Sequence, residues 1–378
     1  MKHLSDFIIF SDDWGHHPSS CQHLMRRFLP ENKILWVNSI GLRSPQISRY
    51  DFFQGIHKLS NWMRPYQEPE KNLKLLSLFS LPWNQFSSVR FLNKQMGLRA
   101  LKKAILKAGL EKPITLTTVP NACDWVGELG ERLKIYYCVD DFSLWPGMNL
   151  KTVLQMEKTL LKKIDLFVAT SEKLYEEKKP KGIPSLLLPH GVDVEHFQQA
   201  RAPFDEKDKK NWTPTIGYFG LIDQRLDFDL IASLVSARPH WKWVFLGPLQ
   251  FFPQNLKKKK NVVCLPPVDY SFLPEHLRPI DILFLPYKVN SFTQTLNPLK
   301  LRECLATGKP VVSVPLSEVI PYADSIQIGK NAEQILTSLD ALILNYSHWN
   351  SQKQIQKIAK EGWESRAQTL ADQIEALV

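Results

Sequence analysis

Apolar residues along this chain come in short consecutive runs separated by longer stretches of mixed character. In the first half, "DFIIFS", "KILWVNS", "NLKLLSLF", "ITLTTVP", "LKIYYCVD", "DLFVATS" and "PSLLLPHG" read as strands, many of them apolar on both faces. Such runs belong to parallel sheets covered by helices on either side. Segments 87–109 and 148–163 between them have helical length and spacing. The pattern is a repeated strand and helix.

A polar, charged, proline-flanked stretch, "QQARAPFDEKDKKNWTP", separates this series from a second one: "TIGYFG", "WKWVFLGP", "NVVCLPP", "DILFLPY", "PVVSVP" and "SIQIG". Helical segments fall at 226–237 and after Asn297. Three parts are expected: a domain over 1–205, a second over 206–350, and a helical tail over 351–378 packing toward the first. In the tail Ile355, Ile358, Ala359, Trp363, Ala367, Leu370, Ile374 and Leu377 form the stripe of one amphipathic helix. The fold class is α/β, two Rossmann-like doubly wound sheets, with ligand expected at the carboxyl ends of the strands in a central cleft.

Composition fits this picture. With 378 residues, 44% hydrophobic and 23% charged, each part can bury its own core. Five scattered cysteines, without a Cys-x-x-Cys pair, signal neither a disulfide framework nor a zinc site, and a reducing cytoplasm is expected. The N-terminus offers only a short apolar run before two aspartates, so neither a leader nor a membrane span is expected there. A net charge of +10 suits an anionic lipid surface, nucleic acid or phosphorylated small molecules without choosing among them. "KKKK", 257–260, has no RNA-binding motif beside it, and no nucleic-acid partner is expected. "DFD", 227–229, opens a helix, where acids favour the dipole, and no metal is expected.

The most informative stretch is "NPLKLRECLATGKPVV", 297–312. Asn297 reads as an N-cap and Pro298 as the first helical residue. The first turn then offers free N–H groups and the positive end of the dipole, with Lys300 adding a full charge, a setting for a diphosphate. Glu303 shares the Lys300 face and could accept hydrogen bonds from two vicinal hydroxyls. From spacing alone, a surface Lys300–Glu303 pair is an equally good reading.

"PLKLRECLATGKPVVS" resembles the donor-binding motif of retaining GT-B glycosyltransferases of family four, and the order of motifs extends the resemblance over nearly the whole chain. "IGYFGLIDQRLD" resembles the first strand and loop of that family's donor domain. "SDDWGHHPSSCQHLMRRF", "IYYCVDDFSLWPG" and "LLLPHGVDVEHF" resemble members that build bacterial surface or exported polysaccharides. The resemblance implies transfer of a sugar from a nucleotide-diphosphate donor to a glycan or lipid-linked acceptor, with retention and without a metal or other cofactor. The place of work would be the cytoplasm or the inner face of the membrane.

It also implies roles. Glu303 would hold the ribose, the segment Pro298, Leu299, Lys300 beside Asn297 would cradle the diphosphate, and Gly220 and Arg225 would contribute from the loop after "GYFG". Lys300 and Arg225 would stabilise the leaving group. The family places a second Glu eight positions before Glu303, where this chain has Thr295; this motivates an alternative, a GT-B module that binds nucleotide sugar or scaffolds assembly without turnover. Asp140 and Asp141 stand where the family carries an acceptor-facing His-Asp pair; Asp140 would be catalytic, and an Asx turn is the equally weighted reading of the pair. Gly15 would let the backbone approach the donor phosphate, and His16 or His17 could contact substrate. The helix at 89–109 carries six basic residues and no acid, which reads either as a solvated face or as a contact with anionic inner-leaflet lipid.

Overall fold

The computed structural model describes residues 4–15, 19–38, 66–81, 86–145, 148–201 and 212–378. The chain divides into two compact units, Met1–Pro189 with Arg366–Val378, and His190–Ser365. The division precedes the polar stretch read as a linker, so the turn His190–Asp193 and the helix Val194–Gln198 group with the second unit.

In the first unit the runs that are apolar on both faces become strands: β1 (Phe7–Phe10), β2 (Ile34–Val37), β4 (Leu73–Leu76), β5 (Ile114–Thr117), β6 (Leu133–Cys138), β7 (Leu166–Ala169) and β8 (Ser185–Leu187). Their order is β3-β4-β2-β1-β5-β6-β7-β8, parallel throughout except at β3 (Tyr66–Glu70), which pairs antiparallel with β4. The polar segment "YQEPE" gives no hydrophobic signal. It forms a strand by backbone pairing with β4 at the sheet edge, and four of its five residues are exposed, so no apolar run marks it.

The second unit holds β9 (Thr215–Phe219), β10 (Lys242–Leu246), β11 (Val262–Leu265), β12 (Ile282–Leu285), β13 (Val311–Ser313) and β14 (Gln327–Ile328), all parallel, in the order β11-β10-β9-β12-β13-β14. Its core joins these strands to the helices Phe228–Ala237, Leu299–Ala306 and Ala332–Leu344. Asp227 caps the first of these helices through its bond from the Leu230 amide, the structural use expected for "DFD".

The tail departs from expectation. It forms two helices, Gln352–Ile358 and Trp363–Glu375. At the break Val192 N–H donates to the Glu361 carbonyl at 2.9 Å and Val192 bridges Gly362. That backbone pairing replaces the helix ladder, and Ala359, expected on the apolar stripe, is exposed. Close approach is required here: a Cβ on Gly191 would lie 2.7 Å from the Trp363 ring. Residues Arg366–Val378 group with the first unit, where Arg132 donates to the Val378 carbonyl. Among the described residues no helix is long and apolar enough to cross a membrane.

Candidate functional site

In the second sheet β9 comes first in sequence but lies in the middle, with β10 on one side and β12 on the other. Loops leaving the carboxyl ends of such strands diverge, and ligands bind where they part. Here the loops are tied together. Lys288 N–H donates to the Arg225 carbonyl at 2.8 Å, Asp227 N–H to the Pro286 carbonyl at 2.7 Å, and Ile222 N–H to the Pro248 carbonyl at 2.9 Å. Three loop segments are thus held on one sheet edge.

Two glycines make room at that edge. Gly220 has φ of +121°, and a Cβ there would lie 2.6 Å from Cε of Lys300; Gly247 has φ of +140°, and its Cβ would lie 2.2 Å from the Gly220 carbonyl oxygen. Lys300 therefore crosses directly over the β9 terminus, with Nζ 4.9 Å from the centre of the Phe219 ring. Nζ donates to Oε2 of Glu303 at 2.6 Å; the lysine side chain is 24% exposed and the glutamate 4%. Burial acts to lower the Lys300 pKa, but the Glu303 carboxylate outweighs it and the pKa is raised. The group stays an ammonium. It uses one of three donors among the described residues, and Glu303 keeps Oε1 without a partner there.

Arg225 is the second cation. Its Nε donates to both carboxylate oxygens of Asp223 at 3.0 and 2.9 Å, and its terminal nitrogens make no hydrogen bond among the described residues. Burial opposes its charge and Asp223 more than restores it. The buried Tyr287 phenol has a raised pKa through burial, which the charges of Arg225 and Lys300 both oppose, so both cations act on the space around that ring.

The helix entry differs from expectation by one residue. Pro298, with φ −70° and ψ 108°, is the N-cap, and Leu299 is the first helical residue. Asn297 does not cap, because its Oδ1 accepts from Nη1 of the buried Arg302. Among the described residues the amides of Leu299 and Lys300 have no backbone partner, as for any first turn. Thr295 is 2% exposed, and its hydroxyl donates to the Phe292 carbonyl at 2.7 Å. It closes a turn from beneath.

Sequence reasoning missed what supports this helix. Arg302 is 3% exposed and also donates from Nε to Glu361 at 2.7 Å, while Tyr322 donates to both Glu361 oxygens at 2.8 and 2.9 Å. The same Glu361 offers its carbonyl to Val192. The helix Leu299–Ala306 is thus tied to Glu361, and through Glu361 to Val192. Nothing in "KLRECLA" signals a partner 59 residues away.

The first sheet has a similar edge with different chemistry. At the β1 end, Asp12 accepts from Ser11 at 2.7 Å, Ser19 at 2.8 Å and Gln22 at 2.7 Å, and burial raises its pKa despite these bonds. Gly15 is exposed with φ of +79°, and a Cβ placed there would have nothing within 4 Å among the described residues, so backbone conformation is what calls for glycine. His16 and His17 lie outside the described residues. Asp140 is half-buried after β6, and its carbonyl meets the Cys138 thiol. Asp141 caps the turn Phe142–Leu144 through Ser143 and accepts from Lys178 at 3.0 Å. Lys178 also holds Glu157 at 2.7 Å, and Tyr136 donates to Glu157 at 2.7 Å. Although burial acts to raise it, the Asp141 pKa is lowered by Ser143 and Lys178.

No protein-family model matches the chain. It is 30% identical over 177 residues to TuaH of Bacillus subtilis, whose name assigns it a glycosyltransferase role in teichuronic acid biosynthesis; the match covers 44% of each chain, less than half of that relative's length. Solved structures resemble it throughout. Sucrose-phosphate synthase from Thermosynechococcus elongatus has a TM-score of 0.71 at 14% identity over 99% of both chains. The E. coli trehalose-6-phosphate protein bound with UDP-2-fluoro glucose has 0.67 at 13% over 99% and 100%, and Anabaena HepE in complex with UDP has 0.64 at 11% over 100% of both. The chain has the fold of these proteins, two Rossmann-like α/β units of the GT-B type.

Proposed function

We propose that this protein is a glycosyltransferase of bacterial surface or exported polysaccharide assembly, moving a sugar from a nucleoside-diphosphate sugar to a glycan or lipid-linked acceptor with retention at the anomeric carbon. The observation that carries the reading is Lys300 laid over Gly220 at the end of β9, its ammonium held by Glu303 with donors to spare. Cleavage of the donor leaves a nucleoside diphosphate with added negative charge. Lys300, the terminal nitrogens of Arg225 and the amides of Leu299 and Lys300 are the groups we assign to that charge. Glu303 Oε1 takes the ribose hydroxyls.

HepE complexes with UDP and with UDP-glucose support a uridine diphosphate donor as the first to try. On the acceptor side we assign Asp140 to orienting the hydroxyl, and Asp141 to holding the strand end on which Asp140 sits. The two cations meet the leaving group's charge, so the mechanism calls for no metal. Work at the inner face of the membrane fits a lipid-linked acceptor.

The test is a panel of nucleoside diphosphates and their sugars. One of them should raise the melting temperature by mass action, and Lys300→Ala and Glu303→Ala should each reduce that rise. Release of nucleoside diphosphate only with acceptor present supports transfer. Binding without release under any acceptor selects the non-catalytic module instead, and unchanged binding in both variants rejects the site.

A further inference from the structure

The helix Ser87–Ala108 has six basic residues and no acid, and the structure sorts them. Arg90 pairs with Asp124 at 2.8 Å and Lys94 with Glu128 at 2.9 Å. Lys107 lies 3.9 Å over the Tyr66 ring. Arg99, Lys102 and Lys103 form no ion pair among the described residues and are exposed. On the inner side Asn93, Gly97, Leu101, Ala104 and Ala108 are buried, and a Cβ on Gly97 would lie 2.7 Å from Trp125. The helix is therefore firmly seated, and its outer face is a fixed surface.

That outer face is not the polar surface of a solvated helix. Phe91 is 62% exposed, Leu92 51% and Leu106 82%, with Phe86 at the helix start 57%. Phe91, Gln95, Arg99, Lys102 and Leu106 succeed one another at steps of three and four residues, so cations and large apolar side chains share one side. Water leaves this arrangement unsatisfied. A lipid interface suits both kinds of side chain: apolar groups enter the acyl boundary while cations remain among anionic headgroups.

We propose that this face docks the protein on an anionic lipid bilayer. Charge complementarity names the occupant, because three unpaired cations without a neighbouring acid on the helix call for a dense anionic surface. The distribution of apolar groups argues against an acidic protein. From Phe86 to Leu106 they extend over about 30 Å at 1.5 Å per residue, interleaved with the cations instead of gathered into a central patch with a polar rim. The surface deepens the membrane placement proposed above and does not depend on the donor site.

Flotation of the full chain with phosphatidylcholine vesicles, alone or mixed with phosphatidylglycerol, tests it. Binding is expected only to the mixed vesicles. Neutralising Arg99, Lys102 and Lys103 to Gln removes three charges, each contributing about a fivefold factor at an anionic surface, and should lower partitioning about a hundredfold. Phe91→Ser with Leu106→Ser should bind at low salt but wash off at high salt, where wild type persists. Both sets are exposed, and unchanged melting temperature and nucleotide binding serve as controls. Wild-type partitioning in the glutamine variant, equal binding to both vesicles, or binding to polyglutamate or DNA but to neither vesicle would each overturn the proposal. A wild type that ignores every nucleotide yet floats with anionic vesicles would remove the transferase reading and leave this one standing.

Discussion

The two sheets carry similar edges with opposite chemistry. At the end of β9 a pair of glycines admits Lys300, and Arg225 is held through Nε, its terminal nitrogens making no hydrogen bond among the described residues. At the ends of β1 and β6 Asp12 and Asp141 are engaged by internal bonds from Ser11, Ser19, Gln22, Ser143 and Lys178, with half-buried Asp140 beside them. Lysine plays both parts. Among the described residues Lys178 neutralises two buried carboxylates, whereas Lys300 answers to one and keeps two donors. The lesson is that a parallel sheet supplies only the place, and loop residues set the charge and hydrogen bonding found there.

The sharpest way to break this comparison is to remove each lysine. Lys178→Met should cost about 3 to 5 kcal/mol, because Glu157 and Asp141 would remain buried without their cation. Urea unfolding measures it, and nucleotide binding by the folded fraction should not change. Lys300→Ala should lower turnover about 10²- to 10³-fold, the effect of losing one stabiliser of a developing charge. If instead Lys178→Met abolished nucleotide binding at full stability, the two edges would have been assigned the wrong way round.

A pair of glycine substitutions sharpens the contrast. Gly220→Ala meets both a forbidding φ and the Lys300 side chain, so about 1 to 3 kcal/mol of strain should come with weaker nucleotide binding. Gly15→Ala meets no neighbour among the described residues and should cost only about 1 to 2 kcal/mol in stability. Thr295→Val, which removes the bond to the Phe292 carbonyl, should lose about 0.5 to 1.5 kcal/mol by thermal unfolding. A large loss of donor affinity there would support the donor-binding role that the resemblance implies for Thr295.

The smallest effect concerns pH. The folded pKa of Asp141 is lowered, so its stabilising contribution is present above its unfolded pKa of about 3.9 and is lost as pH falls through the folded value. The stability gap between wild type and Asp141→Asn should be flat near neutrality and close below about pH 4 in acid titration followed by circular dichroism.

Much of the fold was legible because the strands lie between helix layers, and double-sided burial writes itself into the sequence as unbroken apolar runs. β3 escaped that rule, since it forms by backbone pairing with β4 at the sheet edge and four of its five residues are exposed. The tail stripe was readable as helix, but its break was not, because the cause is a backbone pairing with Val192 far away in sequence. In the stretch 297–312, Lys300 and Glu303 were readable as neighbours on one helix face, and they meet at 2.6 Å. Asn297 was misplaced as a cap because local rules cannot see Arg302 competing for its side chain.

The order of strands and helices, the helix that bears Lys300 and Glu303, and the acid-free basic helix were determined by the sequence alone, since each depends on periodicity or spacing within a few turns. Tertiary structure decided the rest. It gave Lys178 two buried carboxylates and Lys300 one, buried Thr295 with its hydroxyl on the Phe292 carbonyl, and set Phe91, Leu92 and Leu106 outward beside Arg99, Lys102 and Lys103. Hydrogen bonding and burial are properties of groups brought together from distant positions, and only the folded chain brings them together.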